Sequence, residues 1–212
     1  MKKDLKQELI EILVSKSLKV EDEAIFELAS GRKSNIYIDC KKTTLSPKGL
    51  YLIKNIFFDK ILKFPDIDAI GGLSLGADPI AIAVASISQE KNHPIHAFVV
   101  RKEPKKHGLK RNIEGDLQEC KKVVIVDDVV TTGNSTVQAI RKAREDGLEV
   151  IKVLVLVDRQ EESGRENIEK ENVKFEAIVT KQDLLDAYYS TRENIGRSCL
   201  QEPKDSNRLL QK

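Results

Sequence analysis

Apolar residues recur along this chain in two rhythms. Over positions 3–17, Leu5, Leu9, Ile12 and Leu13 fall on one stripe and predict an amphipathic helix. Ala24 to Leu28 and Asn35 to Asp39 alternate as two short strands, separated by the basic turn Ser30-Gly31-Arg32-Lys33-Ser34. Ser46-Pro47 then opens a second helix running to about Lys63, since proline suits the first helical position. From Asp66 onward the pattern changes to strand, loop, helix, repeated. Strands are predicted at Ile67 to Gly71, Ile95 to Val100, Val123 to Val126, Val150 to Val157 and Phe175 to Val179, with an apolar helix around Ala81 to Ile87. Strands that alternate with helices and read as continuous apolar runs predict an α/β fold with a parallel sheet buried on both faces.

In such a sheet, ligands gather beyond the C-terminal ends of the strands. Four segments therefore carry the candidate chemistry. After Ile70 comes Gly71-Gly72-Leu73-Ser74-Leu75-Gly76-Ala77-Asp78-Pro79, where glycine permits close approach by an anion. After Val100 comes Arg101-Lys102-Glu103-Pro104-Lys105-Lys106-His107-Gly108-Leu109-Lys110-Arg111, a basic run without apolar period that predicts a mobile loop. Such a loop is either a plain solvated segment or a lid that closes over an anion and excludes water. After Val157 comes Asp158-Arg159-Gln160-Glu161, whose arginine either pairs with a glutamate at the surface or grips a planar carboxylate or carbonyl.

The fourth segment, Val123 to Thr136, organises the rest. An apolar strand is followed by Asp127 and Asp128, then Val129, Val130 and the small polar loop Thr131-Thr132-Gly133-Asn134-Ser135. A helix begins behind it, with Val137, Ile140 and Ala143 on one face and Gly147 as its stop. Backbone N–H groups and hydroxyls of the loop can wrap a phosphate, helped by the helix N-terminus. The acids repel a phosphate, so their partners are hydroxyl groups, a magnesium ion, or a cation formed during reaction. A P-loop is excluded, because no GxxxxGK[ST] pattern occurs.

Charge and composition narrow the picture further. Lys+Arg 36 against Asp+Glu 34 gives a formal charge of +2, which offers no bulk attraction to nucleic acid or membrane. Cys40, Cys120 and Cys199 have neither metal spacing nor a disulfide framework, as suits a reducing, cytoplasmic setting. The N-terminus MKKDLKQE lacks an apolar signal core, and no apolar run approaches the roughly 20 residues of a membrane helix. The 212 residues are expected to form one domain: a lobe over about 1–45, a core over about 46–190 and a polar tail over 191–212. His93 and His96 are expected to be structural or exposed, and Tyr188 and Tyr189 to close the core.

The segment VVIVDDVVTTGNS resembles the 5-phosphoribosyl-1-pyrophosphate (PRPP) binding motif of type I phosphoribosyltransferases, and RKEPKKHG, VDRQE and the SGRKS turn are similar to its orotate branch. The resemblance spans roughly residues 5–190. It implies a Rossmann-like parallel core with an N-terminal α+β hood, and transfer of ribose 5-phosphate from PRPP to N1 of orotate, yielding orotidine 5′-monophosphate and pyrophosphate. It implies that Asp127, Asp128, Val129, Val130, Thr131, Thr132, Gly133, Asn134 and Ser135 hold PRPP, the acids at the ribose hydroxyls and Thr131 to Ser135 at the 5′-phosphate. Thr131 and Arg159 would contact orotate; Arg101, Lys102, Lys105 and His107 would bind pyrophosphate. Asp127, Asp128, Lys102, Lys105 and His107 would carry the catalysis. Mg2+ would be held through PRPP, with no direct protein ligand beyond a possible reach from the two acids. A homodimer is implied, with loop 101–111 shared across subunits. Transfer to another base, or PRPP sensing without turnover, are the competing readings. Ala29 and Leu75 stand where many members carry lysine, and Asn134 replaces a smaller residue.

Overall fold

The computed structural model describes residues 4–27, 31–64, 66–103 and 112–199, with side chains described to 193. Helix α1 (Leu5–Ile12) starts where the Asp4 carboxylate accepts the Lys6 N–H, and it continues as a π-helical turn, Leu13–Ser17. Its stripe is buried as the spacing predicts, with Leu9 and Leu13 fully inside. Next come β1 (Leu18–Val20), β2 (Phe26–Glu27), β3 (Lys33–Ser34), β4 (Ile36–Ile38) and α2 (Lys41–Thr44). Strand β1 pairs antiparallel with β4, and β2 with β3. The two expected strands are thus shorter than predicted, and β1 and β3 are additional. Elements of two or three residues are too brief to show a period, so only their partners reveal them.

Helix α3 (Pro47–Ile61) begins as expected: the Ser46 hydroxyl accepts the Gly49 N–H and proline follows the cap. The core then runs through β5 (Ala69–Leu73), α4 (Asp78–Glu90), β6 (His96–Val100), β7 (Ile113–Glu114), β8 (Lys122–Val130), α5 (Asn134–Glu145), β9 (Glu149–Asp158), α6 (Gly164–Glu169), β10 (Lys174–Thr180) and α7 (Lys181–Cys199). Six of these strands form one sheet in the order β10-β9-β8-β5-β6-β7. All its pairings are parallel except β6 with β7.

Strand β8 shows how the sheet is buried. Val124 and Val126 join the core formed with α1, α3, α4 and α7, whereas Val123 and Ile125 join a second core against α5 and α6. Successive side chains of a strand point to opposite faces, so an uninterrupted valine and isoleucine run serves both. The strand is also longer than expected. It continues through Asp127 and Asp128 to Val130, because β9 is equally long and pairs Asp127 with Val155 and Val130 with Asp158. The acids, expected just past the strand's end, are therefore within it, on opposite faces.

Helix α5 ends in a glycine-terminated turn. Gly147 has φ +84°, its N–H bonds to Arg144 O and the Leu148 N–H bonds to Ala143 O. Helix α7 runs past Thr191 into the segment expected as a polar tail; residues 200–212 lie outside the described residues. Tyr188 packs on the core, but Tyr189 is half exposed, since adjacent residues sit about 100° apart around a helix. His93 and His96 are exposed, as expected. Among the described residues no helix is long and apolar enough to cross a membrane.

Candidate active site

The C-terminal ends of β8 and β9 meet the hood strands β2 and β4 around a cleft of about 590 Å³. Val129, Thr131 to Ser135 and Arg159 line it from the sheet, and Glu27, Tyr37 and Ile38 from the hood. The loop between β8 and α5 turns at Gly133, whose φ of +77° belongs to the left-handed region. A Cβ there would lie 2.6 Å from Gly164 O, so the turn also needs the absence of a side chain. From α6, the Asn167 side chain donates to Thr132 O at 3.1 Å and steadies the loop. No side chain caps the N-terminus of α5. The Asn134 N–H makes only a long bond to Thr132 Oγ1 (3.4 Å), so this helix start can still meet an anion, the arrangement a phosphate requires.

The two acids differ sharply in their surroundings. Asp127 accepts the Asp128 N–H at one oxygen (3.0 Å) and the hydroxyls of Ser135 (2.8 Å) and Thr136 (2.9 Å) at the other. It thereby ties the strand to the start of α5. Asp128 faces the opposite way, where its Oδ2 is buried with no hydrogen-bond partner among the described residues. Burial, and then the charge of Asp128, push Asp127 up to about 7. Burial also raises Asp128, against the pull of the Lys41 ammonium 4.0 Å from Oδ2. The glycine loop after β5 is pressed onto this pair. A Cβ on Gly76 would lie 2.5 Å from Asp128 Oδ1 and 2.9 Å from Asp127 Oδ1.

Arg159 is 3% exposed, yet it lines the cleft. Its Nε donates to Glu161 Oε2 at 3.2 Å and an Nη donates to Ile36 O at 3.4 Å. Burial would raise the Glu161 carboxyl, but the hydrogen bond from Lys181 and the Arg159 charge hold it below its usual range. This arginine pairs with a glutamate, in a buried and not a surface position, and also lines the pocket.

The remaining candidates are more dispersed. Val130 has its side chain in the core, and only its carbonyl serves the site, by accepting the Arg159 N–H. Arg101 and Lys102 line a separate cavity of about 580 Å³ with Ser74 and Glu114. There Arg101 pairs with Glu114 at 3.0 Å, and the Lys142 ammonium holds the Arg101 and Lys102 carbonyls. Lys105, His107 and the rest of 104–111 lie outside the described residues, as does Ala29. Leu75 is 70% exposed at the tip of the glycine loop. Tyr37, Ile38, Lys41 and Thr136 are site residues that sequence reasoning missed. The alternation in Ile36 to Ile38 could have flagged the first two; nothing local marks Lys41.

Comparison with known proteins agrees with this geometry. Residues 79–183 match the model of the phosphoribosyl transferase domain. The orotate phosphoribosyltransferase of Aquifex aeolicus is 48% identical over 180 residues, covering 85% of this chain and 97% of that protein. That of Methanocaldococcus jannaschii is 48% identical over 159 residues, covering 75% and 86%. The Mycobacterium tuberculosis orotate phosphoribosyltransferase in complex with PRPP superimposes with a TM-score of 0.68 at 32% identity, covering 85% of this chain and 99% of that one. By sequence, by fold and by the layout of its cleft, this chain belongs to the orotate phosphoribosyltransferase family.

Proposed function

We propose that the chain transfers ribose 5-phosphate from PRPP to N1 of orotate, releasing pyrophosphate and forming orotidine 5′-monophosphate, a step of UMP synthesis. The observation that carries this reading is the pairing of a helix start whose N-cap is a glycine with a buried carboxylate oxygen that accepts no hydrogen bond among the described residues. The first suits a 5′-phosphate and the second a ribose hydroxyl, the two ends of one sugar phosphate.

Thr131 to Ser135 wrap the phosphate, and Asp128 accepts from the ribose, with Asp127 behind it. Arg159 and Thr131 orient orotate, and the Glu161 brace presets the guanidinium before the substrate arrives. As N1 bonds to the anomeric carbon, the bond to pyrophosphate oxygen breaks with inversion, through a transition state with oxocarbenium character. Positive charge grows beside two carboxylates, while negative charge grows on the leaving group. Arg101, Lys102, Lys105 and His107 on the basic loop receive that charge, so positioning and preset charge carry the rate.

Among the described residues no cluster of three or more His, Cys, Asp or Glu is placed to hold a metal. The two acids alone supply few of the oxygens that Mg2+ prefers. They fit an ion carried mainly by pyrophosphate and ribose oxygens, which would neutralise the leaving group. Exposed Leu45, Tyr51, Leu75 and Ile82 around α3, α4 and the glycine loop favour a homodimer that shares its basic loop. The chain is read as one domain with a hood over about 1–45, working in the cytoplasm with small-molecule partners. The test is consumption of orotate by the purified protein with PRPP and magnesium, against a panel of other bases. Turnover of orotate is expected; turnover of another base only, or tight DNA binding without turnover, overturns the proposal.

A further inference from the structure

We propose that Lys41 is a positioning residue of the ribose site, acting through Asp128. This inference rests on the ribose role given to that acid above. Lys41 begins α2, just beyond the hood strand whose Tyr37 and Ile38 line the cleft. Its mount is rigid. Cys40, Thr43 and Thr44 are fully buried, and the Ser17 and Thr43 hydroxyls share a hydrogen bond of 2.7 Å. Gly49 packs so tightly below that a Cβ would come within 2.1 Å of Thr43 O. The ammonium thus projects from a fixed base.

Two carboxylates share it unequally. Asp39 Oδ1 lies 3.4 Å from Nζ, an ion pair; Asp128 Oδ2 lies 4.0 Å away, beyond a hydrogen bond. The groups around Asp128 are Asp127 on its own strand, Lys41 on α2, and Asp39 and Cys40 between β4 and α2; the glycine loop meets it at Gly76. Without a nearby cation, two adjacent buried carboxylates repel, and one of them holds a proton. A protonated Asp128 would be a poorer acceptor for a ribose hydroxyl. Lys41 favours the charged form, and the Asp39 tether keeps its ammonium from closing onto Oδ2. The charged form is favoured while the buried oxygen keeps no hydrogen-bond partner among the described residues.

The experiment is a cycle on the full-length protein: Lys41→Met, Lys41→Arg, Asp128→Asn, and Lys41→Met with Asp128→Asn. Steady-state KM values for PRPP and for orotate are measured with magnesium, and thermal melts check folding. Lys41→Met is expected to raise KM for PRPP roughly fivefold, the upper range for a partly exposed ion pair. KM for orotate should stay within about twofold on the same argument, and Lys41→Arg should restore most of the PRPP affinity. In the Asp128→Asn background, Lys41→Met should add nothing. Equal losses in both backgrounds would mean that Lys41 contacts PRPP by itself and would overturn the proposal. So would an unchanged KM for PRPP in Lys41→Met, or a parallel loss for orotate. Absence of orotate turnover in the unsubstituted protein would instead defeat the proposed function, and is read first.

Discussion

Asp127 is expected to make the unliganded protein less stable than it need be, and Asp127→Asn exposes that cost. Its carboxyl sits at about 7 in the folded chain against an ordinary 3.8. Below pH 3.8 both states hold the proton, and the residue contributes nothing. Between 3.8 and about 7 the unfolded chain loses a proton that the folded chain keeps, so stability falls as pH rises. Above 7 the full penalty is present. At about 1.4 kcal/mol per pH unit the whole gap corresponds to about 4 kcal/mol, and the part between pH 5 and pH 8 to about 3 kcal/mol. Asparagine can occupy the position without orphaning its neighbours. Its carbonyl accepts the Asp128 N–H, and its two N–H donors face the Ser135 and Thr136 hydroxyls, which turn from donors into acceptors. Denaturant unfolding of both proteins at pH 5 and pH 8 measures the difference. The variant should gain on the parent by about 3 kcal/mol across that interval, while its turnover falls. Parallel pH profiles, or a variant weaker than the parent at pH 8, would refute the reasoning.

Other perturbations separate the parts of the site. Gly76→Ala puts a methyl group 2.5 Å from Asp128 Oδ1, so the acid must shift; kcat/KM for PRPP should fall on the order of tenfold or more, with the melting temperature little changed. Gly133→Ala forces an alanine into φ +77° against Gly164 O and should cost at least about 1–2 kcal/mol in denaturant unfolding. Arg159→Lys loses the fork held by Glu161 and Ile36 O and should raise KM for orotate about tenfold or more, well beyond its effect on PRPP. Lys105→Ala should lower kcat by about 10²-fold, as lost transition-state donors do, with an unchanged melt. An unaltered rate would return the basic loop to a plain solvated segment.

How much of this could be read from the chain depends on how local each signal is. The alternation of apolar strands and helices, the Ser46-Pro47 helix start and the acidic pair ahead of TTGNS all lie within a few residues, and the structure forms those strands and that helix and sets TTGNS along the cleft. Arg159 was legible because a charged residue at the end of an apolar strand stands out. Strands β1, β3 and β7 were not, since two or three residues carry no period. The extension of β8 through both acids was hidden for a different reason. Aspartate is depleted in strands, and here tertiary pairing with β9 overrides that preference. Lys41 was invisible because its relation to Asp128 joins distant parts of the chain.

That extension changes the chemistry more than any other difference. Were both acids in a loop, either could turn toward the ribose and the two would be interchangeable. A strand forbids this, because adjacent side chains must leave on opposite faces. Asp127 is committed to the face of α5, where Ser135 and Thr136 hold it and it holds the phosphate loop. Asp128 is committed to the face of the hood, where a buried oxygen accepts no hydrogen bond among the described residues and Lys41 stands across from it. In the proposed reaction one acid would therefore build the phosphate site and the other meet the sugar, with the peptide bond between them fixing how far apart those two tasks are done. Substitution of either should then disturb different steps: Asp127 the geometry of phosphate binding, Asp128 the grip on the ribose as it gains charge.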